Sequence, residues 1–339
     1  MPVPRRRRSR SAHPVALAAW RPGHHSEDVS DRPIHVSLQA SPRDAASWVD
    51  LARRCQAAGF RALLVSDHPG SGPSTFTALA AAATATTTLR LGTHVLNAGV
   101  RDPLLISADT ATLDVVSGGR AEVGLGAGHT PAEWEMTGRT RPDAAGRVRH
   151  LIDVSTATRA LLDGRTVPAA DLGTARDLVL TAPRPVQDRV PLLIGGNHPD
   201  LLRWAGGHAD AVGLSGLGRT LPDGHSHTVS WTPARIDATA ASVRTGAAAA
   251  GRDVPPLEAL VQVVAVTSDR RAAVADLARE SANAVDDLLA APYLWIGTHE
   301  EIVDQVRAAR RRWGIDRWVV RTDAFETARE VIARLGAGS

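Results

Sequence analysis

Ala121-Glu122-Val123-Gly124-Leu125-Gly126-Ala127-Gly128 is a short apolar run that ends in alternating glycines. Sequence of helical period precedes it over 103–117 and follows it over 143–163, so a buried strand is enclosed by helices in the chain. A strand between helices belongs to a parallel sheet, because parallel neighbours need long crossovers. The same alternation extends outward in both directions. Short β-branched or apolar runs occur at 34–38, 62–66, 89–96, 121–125, 191–194, 209–214, 257–266 and 317–321. Helical stretches follow them at 43–58, 74–88, 103–117, 143–163, 198–206, 233–250, 269–290 with 299–313, and 325–335. Eight such pairs predict an α/β protein built as a (β/α)8 TIM barrel. A doubly wound open sheet is the rival, but it leads with a glycine-rich first turn, and Gln39-Ala40-Ser41-Pro42 has none.

Two connections exceed what a barrel needs. Residues 164–189 are expected to form an extra hairpin, and 215–232, rich in Gly, Ser, His and Pro, a loop after strand six. Loops at strand C-termini build the active site of such barrels, so that loop stands where a substrate lid would be. Its His225-Ser226-His227 spacing lacks a nearby third ligand and reads as a polar loop rather than a metal site.

The 339 residues are 43% hydrophobic and 22% charged, enough for one large core, and residues 34–339 read as a single domain. No window approaches the roughly 18 apolar residues of a membrane span. The lone Cys55 excludes an internal disulfide and a four-thiolate zinc site, and a reducing cytoplasm is the expected compartment. The net charge of +3 is concentrated in residues 1–33, where Arg5-Arg6-Arg7-Arg8-Ser9-Arg10 reads as a disordered, solvated tail without a nucleic-acid or membrane role. Every basic side chain other than histidine is Arg, which removes lysine Schiff-base chemistry and the P-loop lysine.

Residues with chemical potential cluster at strand ends. Strand two runs into Asp67-His68-Pro69, where the proline stops pairing and a carboxylate beside an imidazole can fix its tautomer. Gly126-Ala127-Gly128 lets backbone approach a flat ring or a phosphate, or simply makes a tight loop. Gly195-Gly196-Asn197-His198-Pro199-Asp200 places a glycine turn before a helix, which suits an anion or merely fits the chain.

Several segments together resemble one family. They are Leu89-Arg90-Leu91-Gly92-Thr93-His94-Val95-Leu96, Arg101-Asp102-Pro103, and Thr112-Leu113-Asp114-Val115-Val116-Ser117-Gly118-Gly119-Arg120 with the glycine run to His129 and Glu133 beyond. Ser66-Asp67-His68, Pro191-Leu192-Leu193-Ile194-Gly195-Gly196, Ala205-Gly206-Gly207-His208-Ala209-Asp210 and Ile296-Gly297-Thr298 follow the same pattern in order. Over about residues 34–335 the chain resembles the bacterial luciferase-like superfamily, in particular the branch that uses the deazaflavin coenzyme F420. The resemblance implies a cytoplasmic oxidoreductase that moves a hydride between the deazaflavin and an electrophilic C=C or C=N, or an alcohol or carbonyl, of a small organic substrate. It implies a non-proline cis peptide at His94–Val95 in a bulge that, with Asn97, supports the ring. Gly126, Ala127, Gly128 and His129 would contact ring and ribityl chain, and Gly195, Gly196 and Asn197 the phosphate. His68 is the expected proton donor or anion stabiliser, with Asp67 orienting it. Relatives carry an acidic residue where this chain has His129, and additional glycine where it has Asn197-His198. Leu113, Asp114 and Arg120 are expected to serve helix packing and capping. An FMN-dependent monooxygenase is the alternative, and a non-catalytic flavin or deazaflavin carrier the alternative of another class. The resemblance leaves room for a homodimer paired through outer helices.

Overall fold

The structure, a computed structural model, describes residues 32–220, 227–229, 231–281 and 283–337. In chain order its first half comprises β1 (His35–Gln39), α1 (Ala45–Ala57), β2 (Ala62–Val65), α2 (Thr75–Ala85), β3 (Arg90–Thr93), β4 (Leu96–Asn97), α3 (Pro103–Ser117), β5 (Ala121–Gly126), α4 (Pro131–Met136), α5 (Ala144–Leu162) and α6 (Ala169–Leu172). The second half comprises β6 (Leu192–Gly195), α7 (Pro199–His208), β7 (Ala211–Leu214), β8 (Leu217–Thr220), β9 (His227–Val229), α8 (Pro233–Ala249), β10 (Leu257–Leu260), β11 (Val263–Val266), α9 (Arg270–Ser281), α10 (Val285–Ala290), β12 (Leu294–Gly297), α11 (His299–Trp313), β13 (Ile315–Arg321) and α12 (Phe325–Gly336).

Parallel pairing runs β3-β2-β1-β13-β10-β7-β6-β5, and β5 pairs back onto β3 to close an eight-stranded (β/α)8 barrel. Closure removes both sheet edges, and the helices between strands cover the outside. The main core lies between strands and helices, with Trp318 and Trp295 among its largest fully buried side chains. Each fully buried leucine in that layer contributes about 1.5–3 kcal/mol. Inside the barrel Ala62, Leu64 and Val319 form a separate small cluster with Leu260. Towards the strand N-termini the apolar filling gives way to an ionic floor. Arg61 donates two hydrogen bonds to Glu122 (3.0 and 2.6 Å) and Arg90 Nε a third (3.1 Å). Burial opposes ionisation of Glu122, but the Arg61 and Arg90 guanidiniums hold its carboxyl far below the usual range.

Local chemistry explains the helix limits. Asp102 caps α3, where Pro103 starts the helix without losing a needed N–H, and Gly118 ends it at φ 69°. Thr298 and Glu301 form a reciprocal capping box at the start of α11. Asp114 accepts from the backbone N–H groups of Ala121, Val186 and Gln187. The Arg120 guanidinium bonds the Leu89, Ala83 and Thr86 carbonyls. Both residues hold the β5 entrance together, which is the structural part expected of them.

The departures from the sequence reading are local. The run at 89–96 is interrupted at His94–Val95, where the peptide is cis, so β4 pairs with β5 separately. The run at 257–266 breaks after Leu260: β10 stays in the barrel while β11 pairs in parallel with β12, a strand the sequence reading missed. Tyr293 O draws the chain aside by accepting from Gln262 N at 2.7 Å. The hairpin expected over 164–189 reduces to one antiparallel bridge, Val167 to Leu178, around the one-turn α6. Proline-rich sequence from Pro183 onward lacks the donors a longer ladder needs. Within 215–232 the described residues form the antiparallel pair β8–β9. His225 and the arginine run Arg5–Arg8 lie outside the described residues. Among the described residues, no helix is long and apolar enough to cross a membrane.

Candidate active site

The C-terminal ends of the barrel strands surround a cavity of about 1010 Å³. Its walls include His68, Asp67, His94, Val95, Asn97, Gly126, Ala127, Gly128, His129, Gly195, Gly196 and Asn197, so the structure brings together every residue singled out for a site. Glu133, Arg147, Gln39, Gln262 and Arg321 are among the other polar residues of the lining.

His68 follows β2 and keeps 44% of its side chain exposed to the cavity, whereas Glu133 beneath it is 3% exposed. Nδ1 of His68 lies 2.8 Å from Glu133 Oε1, and Asn97 Nδ2 donates to the other carboxylate oxygen at 2.7 Å. The hydrogen bond to Glu133 raises the His68 pKa above its ordinary 6.5, more than burial lowers it. Burial pushes the Glu133 carboxyl upward, but the bonds from His68 and Asn97 outweigh it and leave the group below its usual value. The pair therefore favours imidazolium over carboxylate.

Asp67 does not orient His68, and the sequence reading is corrected on that point. Its carboxylate is held by Arg101 through Nε (2.7 Å) and Nη2 (2.6 Å) and by the Asn97 backbone N–H (3.1 Å). Adjacent residues on an extended chain point apart, so Asp67 turns under the β3–β4 bulge while His68 faces the cavity. Glu133, 65 positions away, supplies the carboxylate instead. Only its place after the glycine loop hinted at this, and chain separation concealed the contact.

The glycines make room chiefly for protein atoms. A Cβ at Gly126 would stand 2.6 Å from Val95 Cγ2, one at Gly124 2.4 Å from the Thr93 carbonyl oxygen, and one at Gly128, where φ is +69°, 2.0 Å from Asn97 Oδ1. They thus seat the bulge that carries Val95 and Asn97 at the barrel mouth. His94 is fixed from two sides. Gln39 Nε2 donates to the His94 carbonyl (2.6 Å). His94 Nε2 lies 3.1 Å from Glu258 Oε1, close enough for an ion pair although off the line of a hydrogen bond.

On the β6 side, the Asn197 amide donates to the Leu217 carbonyl and so ties the loop after β7 to the loop after β6. His198 caps α7, its Nδ1 accepting from Asp200 N. The His129 ring meets the His227 ring edge-on at 4.8 Å. Burial and then His227 lower the His129 pKa to about 4, so its imidazole is neutral near pH 7. Among the described residues no three His, Cys, Asp or Glu side chains group as metal ligands.

Comparison with known proteins now gives the fold and site a lineage. Residues 29–284 match the family of luciferase-like monooxygenases, and the chain belongs to that family. It is 31% identical over 217 residues to an F420-dependent glucose-6-phosphate dehydrogenase of Beutenbergia cavernae, a match covering 61% of each chain. The chain spans about 55–61% of the length of this and another similar curated relative. Among solved structures, a coenzyme F420-dependent tetrahydromethanopterin reductase of Methanopyrus kandleri superposes with a TM-score of 0.66 at 19% identity, covering 89% of this chain and 97% of that one. A riboflavin lyase with modified FMN and riboflavin superposes with a TM-score of 0.71 at 13% identity, covering 91% and 92%. Both share the barrel.

Proposed function

We propose that the protein is an F420-dependent oxidoreductase that moves a hydride between the deazaflavin and an electrophilic C=C or C=N, or an alcohol or carbonyl, of a small organic substrate. The observation that carries this reading is His68: an imidazole facing the cavity, hydrogen-bonded through Nδ1 to a buried carboxylate that favours its protonated form. A protonated histidine suits a hydride transfer that leaves negative charge on the substrate, and the name of the Beutenbergia relative supports the choice of cofactor.

The cavity has the volume and donor set for a tricyclic ring with a phosphate-bearing chain. Val95, Asn97 and Gly126 to His129 would hold the ring and its ribityl chain, and Gly195, Gly196 and the β6–α7 turn the phosphate. When bound, the deazaflavin supplies the hydride at C5. The chain's own work is positional and protic. Glu133 holds His68 through Nδ1 and leaves Nε2 as the proton-bearing atom available to substrate. Asn97 fixes the carboxylate from behind, and Asp67 with Arg101 secures the backbone that presents Asn97. All eight strand ends contribute to the walls around this face.

Titration of the purified protein with F420 and with FMN, followed by cofactor fluorescence, tests the reading. F420 should bind in the low micromolar range or tighter, with FMN at least about tenfold weaker, a difference of about 1.4 kcal/mol. Preferential FMN binding with oxygen uptake would transfer the protein to the monooxygenases. Tight cofactor binding without turnover of any electrophile would make it a carrier.

A further inference from the structure

The groups assigned to the cofactor occupy one side of the barrel. They sit at the ends of β2, β3–β4, β5 and β6, and in the closed strand order β5 and β6 stand opposite β13 and β1. The wall formed by β1, β13 and β10 has a different character. Register pairs Gln39 with Arg321 across the ends of β1 and β13, and Gln262 follows β10 beside them. Arg43, four residues beyond the end of β1, also lines the cavity.

Arg321 gives its hydrogen bonds to neutral acceptors only, the Val261 carbonyl (3.2 Å) and Gln262 Oε1 (3.3 Å). Among the described residues no carboxylate lies within ion-pair distance of Arg321 or Arg43. The acids elsewhere in the cavity are engaged, Asp67 by Arg101 and Glu133 by His68 and Asn97, and Asp323 is the remaining exposed acid of the lining. A guanidinium has five N–H donors in a planar fork that matches two oxygens of a carboxylate or phosphate, and most of those on Arg321 are unused. The third arginine of the lining, Arg147 near the start of α5, follows β5 on the cofactor side, so the arginines divide between the two walls.

We propose that Arg321, with Arg43, forms an oxyanion subsite for the substrate, so that the substrate is a small molecule bearing a carboxylate or phosphate. The subsite fixes the substrate at its charged end and leaves the reacting carbon between that wall and His68. The proposal rests on the oxidoreductase reading, in which the cofactor takes the opposite wall.

The test titrates inorganic phosphate, and separately malonate, into the F420-loaded full-length protein by calorimetry at matched chloride concentration. The same titrations are made on Arg321→Gln and Arg43→Gln, each checked for an unchanged melting curve. At least one anion should bind the loaded wild type, and Arg321→Gln should weaken it tenfold or more while F420 affinity stays within about twofold. Arg321→Lys, which keeps the charge but loses the fork, should fall between. Whichever anion binds identifies the oxyanion. Binding of neither anion, equal binding to Arg321→Gln and Arg43→Gln, or displacement of F420 by the anion would overturn the subsite. Failure of F420 itself to bind would instead overturn the functional reading, and it is seen before any anion is added.

Discussion

At the scale of single residues, the site separates two carboxylates by their partners. Glu133 acts on His68, and Asp67 acts on the backbone through Arg101 and Asn97. With His68 as proton donor, single-turnover reduction should slow as pH rises through its folded-state pKa, and that midpoint should lie above 6.5 because the bond to Glu133 favours the protonated ring. His68→Ala should lower the rate by about 10² to 10⁴ and leave F420 binding within a few-fold. Glu133→Gln should move the pH midpoint downward, because a neutral amide removes the largest cause of the raised value. A midpoint that stays in place would detach Glu133 from the proton donor. Asp67→Asn should instead cost stability, about 1–3 kcal/mol by denaturant titration, at the lower end because Arg101 is 27% exposed and water can take over part of its charge. Its effect on the pH midpoint should be much smaller than that of Glu133→Gln. Sequence alone placed His68 and Asp67 at the right strand end, since a proline after a strand is a local signal. It did not pair them with their partners, because Glu133 and Arg101 arrive through the tertiary fold.

At the scale of elements, the barrel was legible because each strand–helix unit repeats one hydrophobic alternation, and eight repeats leave little freedom in the closure. Short features were not. β12 is a four-residue apolar run between two helices; Pro292 and the aromatic Tyr293 and Trp295 mark it off from α10, but an alternation of eight strand–helix units left no place for a further strand. The split of β10 from β11 depends on a backbone bond from Gln262 to Tyr293, a contact with no local sequence mark. The α7–α8 contact shows how glycine decides packing outside the site. A Cβ at Gly246 would stand 1.7 Å from the Arg203 carbonyl oxygen, and one at Gly206 2.1 Å from that of Val243, so the two helices approach backbone to backbone. Gly246→Ala must push α7 and α8 apart, and overpacking of this kind typically costs about 1–3 kcal/mol. A lowered Tm is expected, with F420 affinity falling too, since α7 begins at the turn assigned to the phosphate. An unchanged Tm would show that the helices separate freely. The reverse problem attends Gly196, where a Cβ would meet Leu201 Cδ2 at 2.5 Å; a bulky residue there disturbs α7 as well as any ligand.

At the scale of the molecule, the question is where the folded unit begins. The arginine run and the residues around it carry too little apolar surface to form a core, so removal of residues 1–30 should leave Tm and cofactor affinity nearly unchanged. Removal of residues 1–33 should differ, because Arg32 is bonded into the barrel floor. Its Nη2 donates to the Val254 carbonyl (2.8 Å), its own carbonyl accepts from Arg310 (2.8 Å), and Nη1 lies 3.8 Å from Asp316. Asp316 is 3% exposed, and burial raises its pKa from 3.8 to about 6 despite the nearby Arg317 and Arg32. An acid whose folded pKa lies above its unfolded value binds extra protons when folded, so its contribution to stability is greatest below pH 3.8 and falls as pH rises to about 6. Without Arg32 the folded-state pKa should rise further and the loss should grow. The longer truncation should therefore melt below the shorter one by a margin that is larger at pH 8 than at pH 4, measured by calorimetry on both proteins. A margin independent of pH would assign the contribution of Arg32 to its backbone bonds alone, and no margin would place the boundary of the folded unit after Pro33.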